Sequence, residues 1–176
     1  MKRILALCAL GLACSSAMAT TGLIDFEGTV RAGGTCPISV VNPGGSPLPI
    51  INFGNFETKD YTSAGQQTEM KKFALRLDPA TCTETIPAET TVTFNANYTG
   101  PTPKLYGLKT GVGYSEGFAI AIYDSSGQLD PNTPSAKYPL DDTVPTEMIF
   151  NTNLHTTKPV TEGTIASSIS FVVAIP

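Results

Sequence analysis

Alternation of apolar and polar residues at a period of two, broken every few residues by turn-formers, dominates this chain, and no helical stripe accompanies it. The clearest runs are Ile24, Phe26, Gly28, Val30; Phe73, Leu75, Leu77; Val92, Phe94, Ala96; and Phe118, Ile120, Ile122. A final run, Ile165, Ser167, Ile169, Phe171, Val173, Ile175, reaches the penultimate residue. Successive side chains of a strand point to opposite faces, so each run places its members on one face of a sheet. Between the runs lie Asn42-Pro43-Gly44-Gly45, Asn52 to Asn55, Thr99-Gly100-Pro101, Asp124 to Gly127 and Asp130-Pro131-Asn132, all read as turns. With 16 Gly and 14 Pro, short spaced strands predict an all-β sandwich. Residues 129–146, which carry four prolines, are expected to form a long loop or weak edge strands.

The N-terminus reads as an export signal. Lys2 and Arg3 precede an apolar stretch, Ile4 to Ala13, and Ala17-Met18-Ala19 supplies an A-x-A cleavage pattern before Thr20. The apolar stretch is shorter than the roughly 20 residues that a membrane helix needs. A competing reading takes Cys14 as the acylated first residue of a lipoprotein. The residue three before it, Gly11, is not the large apolar one that such a signal carries. Removal of residues 1–19 leaves 157 of the 176, a length suited to one domain.

The same cut removes Cys8 and Cys14 and leaves Cys36 and Cys82. Two cysteines in an oxidising compartment are expected to pair. A redox or metal role is the rival, but no CxxC spacing and no histidine lies near either one. Loss of Lys2 and Arg3 leaves nine basic against 15 acidic side chains, a net of −6. That balance, without any basic run, argues against nucleic acid as a partner.

Candidates for catalysis are few, and the chain is not expected to be an enzyme. His155, the one histidine, sits beside Thr156 and Thr157 and is read as a surface loop residue; no Gly-x-Ser-x-Gly elbow accompanies it. Asp141 and Asp142 are adjacent, so on a strand they face opposite ways and cannot share a proton. They are read as solvated loop charges. Asp124 to Asp130 has a faint likeness to a calcium loop, yet it lacks the later Glu and the ligand spacing, and a hairpin turn explains it better. Asn97-Tyr98-Thr99 fits the N-glycosylation pattern and is read as accidental. No metal or other cofactor is expected.

The two ends of the chain carry the functional argument. The mature protein starts with a strand-like segment, Thr20 to Arg31, whose apolar face holds Gly28 where a large side chain would be expected. The last strand runs to the terminus with nothing after it to pair with its free edge, and an exposed apolar edge invites strand addition. A donor at the head and an acceptor at the tail describe heterologous contacts that propagate into a filament. Both segments also fit ordinary strands of a closed sandwich, and Gly28 also fits a bulge; periodicity alone does not separate these readings.

In their order and spacing, these residues resemble the type 1 fimbrial (pilus) subunit family of the chaperone–usher pathway in Gram-negative bacteria. IDFEGTVR, Ile24 to Arg31, resembles the donor strand of small shaft and adaptor subunits, with Ile24, Phe26 and Val30 filling pockets and Gly28 as the small residue. Cys36, and Cys82 after the strand FALRL, match the family's disulfide positions. FAIAIYDSSG, Phe118 to Gly127, resembles its strand-and-turn after the central variable region, and Gly163 stands where the family opens its last alternating strand. One departure is that Ile175, not an aromatic residue, is next to last.

The resemblance implies an immunoglobulin-like β-sandwich lacking its last strand, completed by donor-strand exchange. Its acceptor edge would carry Gly163, Ile169, Phe171, Val173 and Ile175. Residues 1–19 would be the signal peptide, 20–34 the donor-strand extension and 35–176 the pilin domain. Implied partners are neighbouring pilus subunits, a periplasmic chaperone that first lends the missing strand, an outer-membrane usher, and a host or surface receptor for the assembled fibre. The implied route runs through the periplasm to a fimbrium on the cell surface. The alternative from a different class is a monomeric exported carbohydrate-binding sandwich using Tyr98, Tyr106 and Tyr114, a reading weakened by the absence of Trp.

Overall fold

The computed structural model describes residues 21–28, 36–83 and 85–174, the first of these segments by its backbone. The strands are β1 (Thr21–Gly28), β2 (Ile38–Val41), β3 (Ile50–Asn55), β4 (Lys71–Leu77), β5 (Glu89–Thr90), β6 (Val92–Ala96), β7 (Phe118–Asp124), β8 (Gly127–Leu129), β9 (Tyr138–Pro139), β10 (Thr146–Thr156) and β11 (Ile165–Val173). They form one sheet in the order β3-β1-β11-β6, a second in the order β2-β4-β10-β7-β8, and a small β5-β9 ladder. The predicted all-β sandwich is therefore what forms.

The alternating runs form strands as expected. Phe73, Leu75 and Leu77 of β4, Val92 and Phe94 of β6, and Ile120 and Ile122 of β7 are fully buried. Phe73, Phe94 and Phe150 meet at centroid distances of 4.9 to 6.0 Å, and Phe171 packs on Phe94 at 6.4 Å, which ties the two sheets through their inner faces. A second aromatic group, Phe56, Tyr61 and Phe118, closes the opposite end.

Three sequence expectations need correction. Residues Asn52 to Asn55 are not a turn but the second half of β3, in which Ile51 and Phe53 are buried; Gly54, at φ 100°, bends the strand at a bulge. His155 is not in a surface loop. It lies on β10, half-buried, with its Nε2 2.8 Å from the Tyr123 hydroxyl, and burial lowers its pKa. Tyr106 is not on the surface either: it is fully buried in the main core, and so unable to serve as a platform for a sugar.

Other readings hold. Asp124 closes the β7–β8 hairpin, its Oδ1 accepting from the backbone N–H of Ser126 and Gly127 and from the Ser126 hydroxyl, while Oδ2 accepts from the N–H of Ala136. Burial alone would raise its pKa, but these donors outweigh it and hold the carboxyl below its ordinary value. Asp141 and Asp142 are exposed. Residues 129–146 carry the two-residue β9, which pairs only with β5.

The Tyr106 hydroxyl is buried with no hydrogen-bond partner among the described residues, and burial pushes its pKa well up. An unsatisfied buried hydroxyl costs about 1–3 kcal/mol. Tyr106→Phe keeps the ring and removes that cost, so it is expected to raise stability by about 1 kcal/mol, read as a higher midpoint in urea with an unchanged m-value.

Candidate polymerisation groove

The slot that matters lies between β3 and β11. On one wall Ile51 and Phe53 are 3% and 5% exposed; on the other Ile165 and Ile169 are fully buried and Phe171 is 4% exposed. Both walls face the core, where these five side chains join the main hydrophobic cluster. Removing apolar surface from water is worth about 25 cal/mol per Å², so a slot lined this way favours any alternating strand that covers it.

In this chain the slot is filled by β1. The strand runs parallel to β11, with Ile24 level with Ser167, Phe26 with Ile169 and Gly28 with Phe171. On its other side it is antiparallel to β3, with Ile24 level with Ile51, and the register slips by one between Gly22 and Leu23. There the N–H of Gly54 turns to the Asn52 Oδ1 at 2.8 Å. The expectation of a free β11 edge therefore changes: β6 pairs with one side and the chain's own N-terminal strand with the other. An edge of unpaired N–H and C=O groups takes up whichever alternating strand is at hand, and the tethered segment is the nearest.

The predicted residues divide accordingly. Ile24, Phe26 and Gly28 lie in the slot by register, beside Ile169 and Phe171. Val173 is half-buried at the far end of β11 and pairs with Val92 of β6. Gly163 precedes β11 and is not part of the ladder with β1, which begins at Ile165. At φ 145° it lies so close to the 111–117 loop that a Cβ would stand 2.4 Å from the backbone of Tyr114 and Ser115. Glycine there opens the strand by permitting that approach. Val30 and Ile175 lie outside the described residues.

Sequence reasoning missed the β3 wall. Its signal was the pair Ile51 and Phe53, spaced by two, hidden by the intervening Asn52 and the following Gly54-Asn55. The disulfide pairs Cys36 with Cys82 across 46 residues. Cys36 stands two residues before β2, and Cys82 follows a short 3-10 turn, Pro79–Thr81, after β4, whose first donor, the N–H of Ala80, is held by Asp78. Among the described residues no group of three or more His, Cys, Asp or Glu is placed to hold a metal ion, and no helix is long and apolar enough to cross a membrane.

The family model described as fimbrial protein matches residues 24–175, from within the N-terminal strand almost to the end of the chain. The chain belongs to the fimbrial protein family. It is a structural pilus subunit. The solved structures it resembles agree with it in fold. The P pilus rod subunit PapA superposes with a TM-score of 0.58 at 14% identity, covering 80% of this chain and 99% of that one. A subunit of a chaperone–usher pilus gives 0.57 at 15% identity, covering 85% and 96%. An antigen and type I fimbria protein of Burkholderia pseudomallei gives 0.52 at 18% identity, covering 89% and 92%. No curated protein sequence matches this fimbrial subunit.

Proposed function

We propose that this subunit polymerises by strand exchange: the segment 20–34 of one copy leaves its own chain and fills the slot between β3 and β11 of the next. Residues 1–19 direct export and are removed, and residues 35–176 form the pilin body. The observation that carries this reading is that the central position of one sheet is supplied by an N-terminal strand lying outside the disulfide-closed body. Without a strand there, Ile51, Phe53, Ile169 and Phe171 lose their cover. Supplying it is then both a folding and a binding step.

On this reading a periplasmic chaperone lends a strand to the slot before assembly, an outer-membrane usher exchanges it for the donor of the incoming subunit, and the fibre reaches the cell surface as an adhesive fimbrium. Ile24, Phe26, Gly28 and Val30 serve as donor, and Ile169, Phe171, Val173 and Ile175 line the acceptor wall, with Ile51 and Phe53 opposite.

The test fuses a second copy of residues 20–34 after Pro176 through a flexible linker. The fused copy should raise the unfolding midpoint and suppress polymerisation, because it fills the slot in cis without the constraint on the native segment. Equal midpoints, with both proteins monomeric, would show that the slot takes no further strand and would remove exchange as the mechanism.

A further inference from the structure

The two walls of the slot differ in regularity. Along β11 the ladder with β1 runs without a break from the Gly22–Ile165 pair to the Gly28–Phe171 pair. Along β3 it breaks once. Asp25, Ile24 and Leu23 are level with Ile50, Ile51 and Asn52, and then Gly22 and Thr21 with Gly54 and Asn55, so that Phe53 has no counterpart on β1. The extra residue makes a bulge, with Gly54 at φ 100° and its N–H turned onto the Asn52 Oδ1 at 2.8 Å. Asn52 itself is exposed, whereas Phe53 is buried among the core side chains.

We propose that Asn52 is a register-setting residue of the slot: by holding the Gly54 N–H it fixes the bulge in the β3 wall, and the bulge allows a strand in the slot one position along it. The proposal deepens the strand-exchange reading and rests on it. A slide by one residue is forbidden already, since it would turn Ile24 and Phe26 to the outer face. A slide by two keeps every side chain on its proper face, and the even ladder along β11 opposes it only by the pairs lost at the ends. Alternation makes a strand fit the slot but leaves its position along the slot open.

The bulge removes that freedom. A strand against β3 must carry its own step opposite Phe53, and in β1 the step falls between Gly22 and Leu23. Glycine adapts its backbone to such a step at no steric cost. Moved by two residues either way, the step would fall between Ile24 and Asp25 or between Thr20 and Thr21, where no glycine stands. Asn52 keeps the bulge in one place because its side chain supplies the acceptor that the ladder withholds from the Gly54 N–H. Without that acceptor the N–H rejoins the ladder and the bulge is free to migrate.

The experiment reads register by disulfide trapping within monomers of the chain from Thr20 to Pro176, with polymerisation followed alongside. Asp25→Cys with Ser168→Cys, and Glu27→Cys with Ser170→Cys, report the native register, in which these positions are level. Asp25→Cys with Ser170→Cys, and Glu27→Cys with Ser168→Cys, report a slide by two. Level Cα atoms on neighbouring strands stand about 5 Å apart and can be bridged, whereas places two residues off stand about 8 Å apart and cannot. The unaltered wall should give the level pairs in large excess. Asn52→Ala, at an exposed position that leaves the core intact, should raise the share of slid pairs about fivefold, the weight of one hydrogen bond. Asn52→Asp keeps the acceptor and should restore the native ratio. An unchanged ratio in Asn52→Ala, or equal sliding in Asn52→Asp, overturns the role of Asn52. A chain that gives the level pairs but never polymerises overturns the exchange reading and not the register stop.

Discussion

Deleting residues 20–28 from a chain that begins at Thr20 should cost on the order of 5 kcal/mol, a large share of the roughly 5–15 kcal/mol that holds a domain folded. The estimate follows from the slot. The register pairs β1 with β11 over seven positions and with β3 over five, and Ile51, Phe53, Ile165, Ile169 and Phe171 all lie within 5% of complete burial along those two walls. Exposing about 200 Å² of apolar surface costs about 5 kcal/mol, before any loss from the unpaired backbone on both walls. The check is the urea midpoint of the truncated chain, together with its near-ultraviolet circular dichroism. A truncated chain that unfolds within about 1 kcal/mol of the full one would mean that β1 contributes little and that the body closes without it.

Reduction of Cys36–Cys82 is expected to cost nearly as much, by a different route. The bond closes a loop across 46 residues, and in the chain-entropy model such a loop destabilises the unfolded chain by about 4 kcal/mol. That loop contains β2, β3 and β4, so it joins one wall of the slot to the second sheet. Paired Cys36→Ala and Cys82→Ala substitutions should therefore lower the midpoint steeply, and they should also slow refolding of the β2–β4 region. The measurement is chemical unfolding of the oxidised chain, the reduced chain and the double variant. Equal midpoints for all three would contradict the prediction.

Much of the sheet pattern is legible because one face of each strand meets the core. Phe73, Leu75 and Leu77, or Ile165, Ile169 and Phe171, alternate with polar residues for that reason, and a shift of one residue would bury the wrong set. β10, the longest strand, escapes because its pattern is mixed. Ile149 points outward at 45% exposure, while Thr152 and Asn153 are buried. Thr152 is tolerated there because its hydroxyl donates to the Ala121 carbonyl at 2.8 Å, and the Asn153 amide donates to the Thr68 carbonyl. The Asn153 Oδ1 has no partner among the described residues, and buried polar side chains that bond to distant partners leave no trace in a period-two reading. The same limit explains His155, whose partner Tyr123 comes from another strand.

The candidate site was half legible for a related reason. The β11 wall and the donor-like segment both announce themselves by alternation, but periodicity says only that a strand has an inner face, not which strand lies next to it. That β1 occupies its own chain's slot, parallel to β11, is a matter of pairing in space and is not written in any single run of residues. The β3 wall was masked because Asn52 and Gly54 carry turn chemistry, which here serves a bulge inside the strand.

The central claim is that the slot between β3 and β11 accepts a separate strand of this sequence. The most direct measurement adds a synthetic peptide of residues 20–34 to the chain lacking residues 20–28, followed by calorimetry and by the unfolding midpoint. The account predicts one peptide bound per chain, with recovery of the midpoint to that of the full subunit or above it. Absence of binding, with a midpoint that does not move as the peptide is raised, would contradict it.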